Sequence, residues 1–432
     1  MTQALPLEGF RVVDFSRVLA GPHCAKNLLD LGAEVIKIEP PSGDLSRRAF
    51  PGNGEMSGYY AQQNAGKRNV SIDLNIPGAR EVAARLCESA DIIVENFRPG
   101  ALAGFDLDYD TVARTNPAIV YASISGYGQQ GAWRGRSAYA PTVQAETGTT
   151  ATTLAHFDRT GRPRSDAFSH ADVYAGLHAT IAILAALTDR ARTGRGRYID
   201  VAMAAVMLSI NERVHADLSG VDLGAERAVL GATDGPFFTG PDGETFASPM
   251  SLIGSLTFPF YVAAMRRPDL AQDPRFLTPA LREQNLPELH RIVQDWVNTF
   301  EDMGSLDAQM DEARIATGRV RTIQEFARTD WALEWPATRT ATDRDGTIFP
   351  IPGRPWRFDE HAVSADKRIA AYRGEHNEEV LAELGYAPKA IDELVDSGAL
   401  VAAPVTALPV DAADDVPETP GTPAGMTFGG AQ

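Results

Sequence analysis

Five short apolar runs between residues 10 and 125, separated by helical stretches, constrain this chain more than any other feature. Phe10-Arg11-Val12-Val13-Asp14-Phe15 reads as a buried strand. Gly21-Pro22 opens a helix that ends near Leu31-Gly32, with the glycine placed as its C′ residue. Glu34-Val35-Ile36-Lys37-Ile38 reads as a second strand and Asn69-Val70-Ser71-Ile72-Asp73-Leu74 as a third. Pro77 starts a helix with Val82, Leu86 and Ala90 on one face. Asp91-Ile92-Ile93-Val94-Glu95 and Ala118-Ile119-Val120-Tyr121-Ala122-Ser123-Ile124 complete the set. This β/α rhythm predicts an open parallel sheet of the Rossmann type.

Ligands of such sheets gather at the carboxyl ends of the strands. Those ends carry Arg17 to Ala20, Pro40, Asp73 to Asn75, Asn96-Phe97-Arg98 and Ser125-Gly126-Tyr127-Gly128. The first strand is followed by Ser16-Arg17-Val18-Leu19-Ala20-Gly21-Pro22 rather than G-x-G-x-x-G, so neither NAD nor FAD is expected. A net charge of −17 argues against general nucleic-acid binding. The only cysteines, Cys24 and Cys87, have no metal-like spacing and read as small core residues of a reducing compartment. No metal is expected. The segment Met1 to Glu8 lacks a charged-then-apolar leader pattern, and no uninterrupted apolar run reaches the roughly 18 residues of a membrane span. A cytoplasmic protein without a membrane partner is the expectation.

The longest apolar stretch follows Ser169-His170-Ala171-Asp172 and runs through Leu187, interrupted by Tyr174, His178 and Thr180. It leads into Thr193-Gly194-Arg195-Gly196 and the strand-like Tyr198-Ile199-Asp200-Val201. Asp172 therefore stands at the mouth of a long helix, where dipole and free amides are expected to keep a carboxylate ionised. Such a group can attack an acyl carbon; an ordinary N-cap aspartate looks the same in sequence.

Beyond residue 220 the character changes. Thr239-Gly240-Pro241-Asp242-Gly243 reads as a hairpin turn. Leu289, Ile292, Val293, Trp296, Val297 and Phe300 form one helical stripe, read as core. Residues 221–325 are taken as a smaller α+β domain. From Arg321 onward the chain reads as rich in loops, with two short helices at Glu378 to Leu384 and Ala390 to Leu394 separated by Gly385 and Pro388. The proline-bearing tail after Ala402 reads as an extended arm or disordered.

These motifs together resemble the family III CoA-transferases, the group that also holds carnitine-CoA transferases, bile-acid CoA transferases and α-methylacyl-CoA racemases. The resemblance rests on Leu7-Glu8-Gly9 through Ser16, Ala20-Gly21-Pro22, Gly32-Ala33-Glu34-Val35-Ile36-Lys37-Ile38-Glu39-Pro40, and Gly43-Asp44. It continues through Asn64-Ala65-Gly66-Lys67-Arg68, Ile72-Asp73-Leu74, Glu95-Asn96-Phe97-Arg98-Pro99-Gly100 and Ser123-Ile124-Ser125-Gly126-Tyr127-Gly128. Ala171-Asp172, Thr193-Gly194-Arg195-Gly196, Asp273-Pro274-Arg275-Phe276 and Gly374-Glu375-His376 extend it over nearly the whole length.

The resemblance implies a Rossmann-like large domain from residues 1–220 and 326–432, a small domain at 221–325, and an interlocked homodimer. It implies Asp172 as nucleophile. It also implies CoA contacts from Val18, Leu19 and Ala20, from Ile72, Asp73, Leu74 and Asn75, from Asn96, Phe97 and Arg98, and from Ser137, Ala138, Tyr139 and Ala140. Acyl-CoA and a free carboxylic acid are the implied substrates, with no tightly bound cofactor. CoA transfer would run through an aspartyl anhydride and an aspartyl-CoA thioester.

Lys67-Arg68 fits either a phosphate contact or a solvated basic pair. His170 is read as structural or supporting, and Tyr127 and Tyr139 as pocket or core. The chain departs from the family pattern at Ala101-Leu102-Ala103-Gly104-Phe105, which lacks a basic residue often found there, and at Ala140, where many members carry aspartate. The segment from Leu252 to Thr257 lacks the glycine run of the oxalate and formate branch, so formyl-CoA chemistry is not expected. Two rival functions are racemisation of a 2-methylacyl-CoA and non-catalytic CoA binding. Tyr139 stands near where racemases place a histidine and is a poor proton shuttle at neutral pH.

Overall fold

The computed structural model describes residues 5–49, 52, 55–157, 166–212, 214–220, 236–358 and 368–402. The first part of the chain alternates β1 (Arg11–Asp14), α1 (Ala20–Asp30), β2 (Glu34–Glu39), α2 (Gly58–Asn64), β3 (Arg68–Ser71), α3 (Pro77–Ser89) and β4 (Ile92–Glu95). It continues with α4 (Tyr109–Thr115), β5 (Val120–Ser125), α5 (Ala140–Glu146), α6 (Thr149–Phe157), α7 (His170–Thr193) and β6 (Tyr198–Ala202). The six strands form one sheet in the order β3-β2-β1-β4-β5-β6, and every pairing is parallel. The predicted parallel α/β sheet is therefore present.

Its strands read as continuous apolar runs because both faces are covered. Val12, Ile92 and Val120 face a core shared with α1, α5 and α7, whereas the adjacent Val13, Ile93 and Tyr121 face a second core with α3 and the C-terminal helices. Successive side chains of a strand point to opposite faces, so a run buried on both has no polar position to spare. Gly32 ends α1 as expected. At φ +108 it lets its own N–H reach Leu29 O while the Ala33 N–H reaches Leu28 O, which satisfies the last carbonyls of the helix.

By length and composition alone, α7 could cross a membrane. Here Ala171, Ala175, Ala179 and Ile183 on its inner face are fully buried. The close approach of α7 to α1 needs a glycine: a Cβ at Gly176 would stand 2.6 Å from the Ala20 carbonyl oxygen.

The C-terminal part returns to the open edge of β3. Ile72 bridges Leu400, the Asp73 N–H donates to Ala399 O, and the Val401 N–H donates to Ser71 O. The helix Asn377–Glu383 caps the same strand, with Asn377 Oδ1 accepting from the Ser71 N–H at 2.9 Å. Pro388, read from sequence as a separator, is the first residue of the next helix, Pro388–Asp396, where its missing N–H is harmless.

The middle of the chain builds a separate apolar cluster. The hairpin β7 (Phe237–Thr239) and β8 (Thr245–Ala247), with β9 (Gly318–Arg319) beside it, packs Phe238 and Phe246 against Leu289, Val293 and Val297 of the helix Leu286–Val297. The predicted stripe is core.

Between residues 338 and 369 lies structure that the sequence reading took for loops. β10 (Thr338–Thr342) pairs antiparallel with β11 (Ile348–Pro352) and parallel with β12 (Arg368–Ile369). Pro350 and Pro352 are tolerated because β11 is an edge strand of this sheet. The sheet is bolted to α1 through Asp30. That fully buried carboxylate meets Lys26 at 2.8 Å, Arg339 at 2.9 Å and Arg368 at 3.0 Å. The tail beyond Ala402 lies outside the described residues.

Candidate active site

The turn that follows β1 is fixed group by group. The Ser16 N–H donates to Asp14 Oδ1 at 3.0 Å, and the Ser16 carbonyl accepts from Lys37 Nζ at 2.8 Å. The Asn96 amide brackets Arg17, accepting from its N–H at 2.7 Å and donating to its carbonyl at 2.9 Å. The Val18 N–H reaches both Asp44 oxygens at 3.2 Å. These contacts hold Val18 at φ +65, a conformation that a β-branched residue adopts only when its surroundings over-determine it.

Beneath the turn lies a buried polar network. Asp14 accepts from Lys67 at 2.9 Å as well as from the Ser16 hydroxyl. Burial alone would raise its pKa, but the Lys67 and Lys37 ammoniums outweigh burial and hold it below the usual carboxylate range. Glu39 accepts twice from Arg47, and from Tyr60 Oη, Asn69 Nδ2 and the Asp44 N–H, all within 2.8 Å. Lys67 spends its three protons on Asp14, Pro22 O and Asn64 Oδ1, and burial brings its pKa down to about 8. The phosphate reading of Lys67-Arg68 thus fails. Lys67 is enclosed, and Arg68 is bound to Glu34, Glu379 and Glu383.

Asp172 is differently placed. It lies in the first turn of α7, and its carboxylate accepts from the Ala140 N–H at the start of α5. Burial pushes its pKa up to about 6, and that amide offsets only part of the rise. Desolvation outweighs that amide, and Asp172 is a more basic carboxylate than an exposed one while remaining ionised at neutral pH. Tyr59, on α2, was not singled out from sequence. Burial pushes its hydroxyl up to about 12, helped by the Asp172 and Asp44 carboxylates, so it stands within the field of both.

The implied contact segments fall as follows. Leu19 and Ala20 are buried where α1 begins, and Val18 is half-buried. The side-chain amide of Asn96 serves the Arg17 backbone, which makes it a positioning group for the turn. Phe97 is half-buried against the second core, with its N–H on Glu95 Oε2 at 2.8 Å. The exposed Arg98 donates to Ser137 Oγ at 2.7 Å and so joins two of the segments. Ala138 packs against Gly126, Tyr139 is the exposed N-cap residue of α5, and Ala140 meets Asp172. At the end of β3, Ile72 is buried, Leu74 is half-buried in the second core, and Asn75 turns back on Asp73 Oδ1 at 3.0 Å. His170 pairs with Asp166 Oδ2 at 3.2 Å and stacks on Phe168.

A strained turn over buried charge, a desolvated carboxylate at a helix start, and loops at the carboxyl ends of β1, β3 and β4 thus mark one candidate site. The sequence profile of CoA-transferase family III matches residues 7–377, and the chain belongs to that family. It is a CoA-transferase. Among its relatives, the succinyl-CoA:mesaconate CoA-transferase of Haloarcula hispanica is 31% identical over 88% of this chain and 96% of its own length. The formyl-CoA:oxalate CoA-transferase of Streptomyces coelicolor is 29% identical over 92% of this chain and 100% of its own length. A CAIB/BAIF family protein from Brucella suis superposes with a TM-score of 0.71 at 28% identity, covering 88% of this chain and 100% of that one.

Proposed function

We propose that the enzyme carries CoA from an acyl-CoA to a free carboxylic acid through covalent adducts on Asp172. An Asp172 oxygen attacks the thioester carbonyl and expels CoA thiolate, leaving a mixed anhydride. The thiolate attacks the aspartyl carbonyl, releasing the donor acid and leaving an aspartyl-CoA thioester. The acceptor carboxylate attacks that thioester and again expels thiolate, which then takes the acceptor acyl group and frees Asp172. Each step exchanges one acyl bond for another of similar energy. The observation that carries this reading is the desolvated Asp172 carboxylate: with a pKa of about 6 it is ionised at neutral pH, yet more basic than an exposed aspartate.

The Ala140 N–H already touches that carboxylate and is placed to meet an oxyanion forming on it. Tyr59 lies on the same side. The remaining contact segments suit an extended CoA. The loops after β3 and β5 are four strand spacings apart, about 19 Å, which calls for a long ligand lying across the strand ends. The strand order 3-2-1-4-5-6 supports the Rossmann-like reading. The return of the C-terminal segment to β3 and the separate middle cluster support a large domain of 1–220 and 326–432 and a small one of 221–325. Two buried free cysteines and the acidic charge fit a cytoplasmic setting.

We place the enzyme in solution as an interlocked homodimer. Ile181 on α7, Leu218, Ile323, Trp331 and Leu333 are large apolar side chains exposed on the single chain, which fits their burial by a second copy. Sedimentation at nanomolar concentration is expected to show dimer throughout; a folded monomer refutes the assembly.

The activity is tested by incubating the enzyme with a panel of acyl-CoAs and free acids in deuterated water. New acyl-CoA masses are expected only when an acceptor acid is present, and hydroxylamine quenching should leave a hydroxamate on Asp172. Rapid α-deuteration of a 2-methylacyl-CoA without any acceptor would replace this reading by racemisation.

A further inference from the structure

Arg373 precedes the Gly374-Glu375-His376 turn, which is seated along the open edge of β3: the Gly374 N–H donates to Asn69 Oδ1 at 2.7 Å and the His376 N–H to Asn69 O at 2.9 Å. The side chain runs beside the turn after β2, where a Cβ on Gly43 would lie 3.7 Å from Arg373 Cδ. Arg373 is only 2% exposed, yet its Nε and Nη2 have no hydrogen-bond partner among the described residues. Its neighbours among the buried cations differ. Arg47 meets Glu39, Tyr60 and two carbonyls, Lys37 meets Asp44 and Ser16 O, and Lys67 uses all three protons. Of the two acids that act on it, Glu55 and Glu39, Glu39 is already met by Arg47, Tyr60, Asn69 and the Asp44 amide.

A buried guanidinium with idle donors is costly unless something anionic meets it. The strongest charges acting on Arg373 are Glu55, Glu39, Arg47 and Arg48, two of them cations. On the other side of the 43–44 turn, Arg17 also has a buried Nε without a partner among the described residues. Arg373 thus sits among two acids and two other guanidiniums with two of its own donors unmet, beside a turn at the carboxyl end of a parallel sheet, where ligands bind. The acceptor carboxylate belongs beside Asp172 in the first turn of α7, whereas Arg373 lies beside the turn after β2. The anion at Arg373 must therefore come from a part of the substrate remote from the reacting carbonyl.

We propose that Arg373 binds a phosphate of CoA, donating Nε–H and Nη2–H to its oxygens as a fork. The assignment rests on the CoA-transferase reading of this site. It extends the site to the C-terminal segment of the chain, which none of the implied contact segments includes.

The test is calorimetric titration of the full-length enzyme with CoA and with dephospho-CoA. For Arg373→Met, the Kd for CoA is expected to rise about tenfold to a hundredfold, the range of a charge-assisted hydrogen bond. Arg373→Lys keeps the charge without the fork and should fall between. If the 3′-phosphate is the partner, the wild-type preference for CoA over dephospho-CoA collapses in Arg373→Met; if the diphosphate is, both ligands weaken equally. Either pattern supports the proposal. Wild-type affinity for CoA in Arg373→Met overturns it, as does wild-type affinity in Arg373→Lys should the methionine variant not fold. Failure of the wild-type enzyme to bind CoA at all would instead count against the transferase reading.

Discussion

Asp14 and Asp172 are both shielded carboxylates on the same half of the molecule, and the fold treats them in opposite ways. Asp14 ends β1 with two ammoniums, a hydroxyl and an amide around it, and is held below the usual pKa range. Asp172 begins α7 with the Ala140 amide and little else, and is pushed up to about 6. Burial penalises both ions. What separates them is the number of donors, and the proposed nucleophile is the one with fewer. The first region spends its ionic groups on fixing the Ser16-Arg17-Val18 turn; the second gives its carboxylate the Ala140 amide and no cation.

The comparison is broken most forcefully at Asp172. Asp172→Asn is expected to lower kcat by about three orders of magnitude or more, the usual cost of removing a covalent centre, while CoA binding measured by titration persists. Next in size is Lys67→Met, which leaves Asp14 buried with its closest cation removed. Urea unfolding should show a loss of about 3–5 kcal/mol. The smallest effect returns to Asp172→Asn, now read as stability. The folded pKa of about 6 lies above the unfolded value of ~3.9, so the contribution of this group is complete below pH ~4 and is lost as pH rises through 6. The asparagine variant should match wild type at pH 4 and exceed it by about 1–2 kcal/mol at pH 7.5, allowing for solvent screening. Other buried acids, such as Glu95 with its pKa of about 7, cancel in that difference. Equal stability at both pH values would show that Asp172 is as well solvated as a surface aspartate.

The parallel sheet was legible because two-sided burial writes itself into the sequence as unbroken apolar runs such as Ile92-Ile93-Val94. β10 and β11 were not: Thr-Arg-Thr-Ala-Thr buries an arginine instead of an apolar residue at one of its inward positions, and the two prolines of Ile-Phe-Pro-Ile-Pro argue against a strand unless it lies at an edge. At the site, Asp172 stood out from its place at the mouth of a long helix, Ala140 through resemblance to a family, and the contact between them only through the fold. Lys67 was misjudged because a basic pair is ordinarily solvated; nothing local announces that Asp14, 53 residues earlier, awaits it. Tyr59, Asp44 and Arg373 act through neighbours brought in by tertiary packing, which no local pattern encodes.

The pairing of Ile72 with Leu400 has a consequence for the making of the protein. Chains emerge from the ribosome at about 5–20 residues per second, so β3 waits about twenty seconds to a minute for the segment that covers its edge. Throughout that interval the nascent sheet presents an unpaired strand, the kind of surface that recruits strands from other chains. Synthesis of this enzyme is therefore a race between completion and self-association, decided by whatever shelters the first seventy residues until the last of the fold arrives.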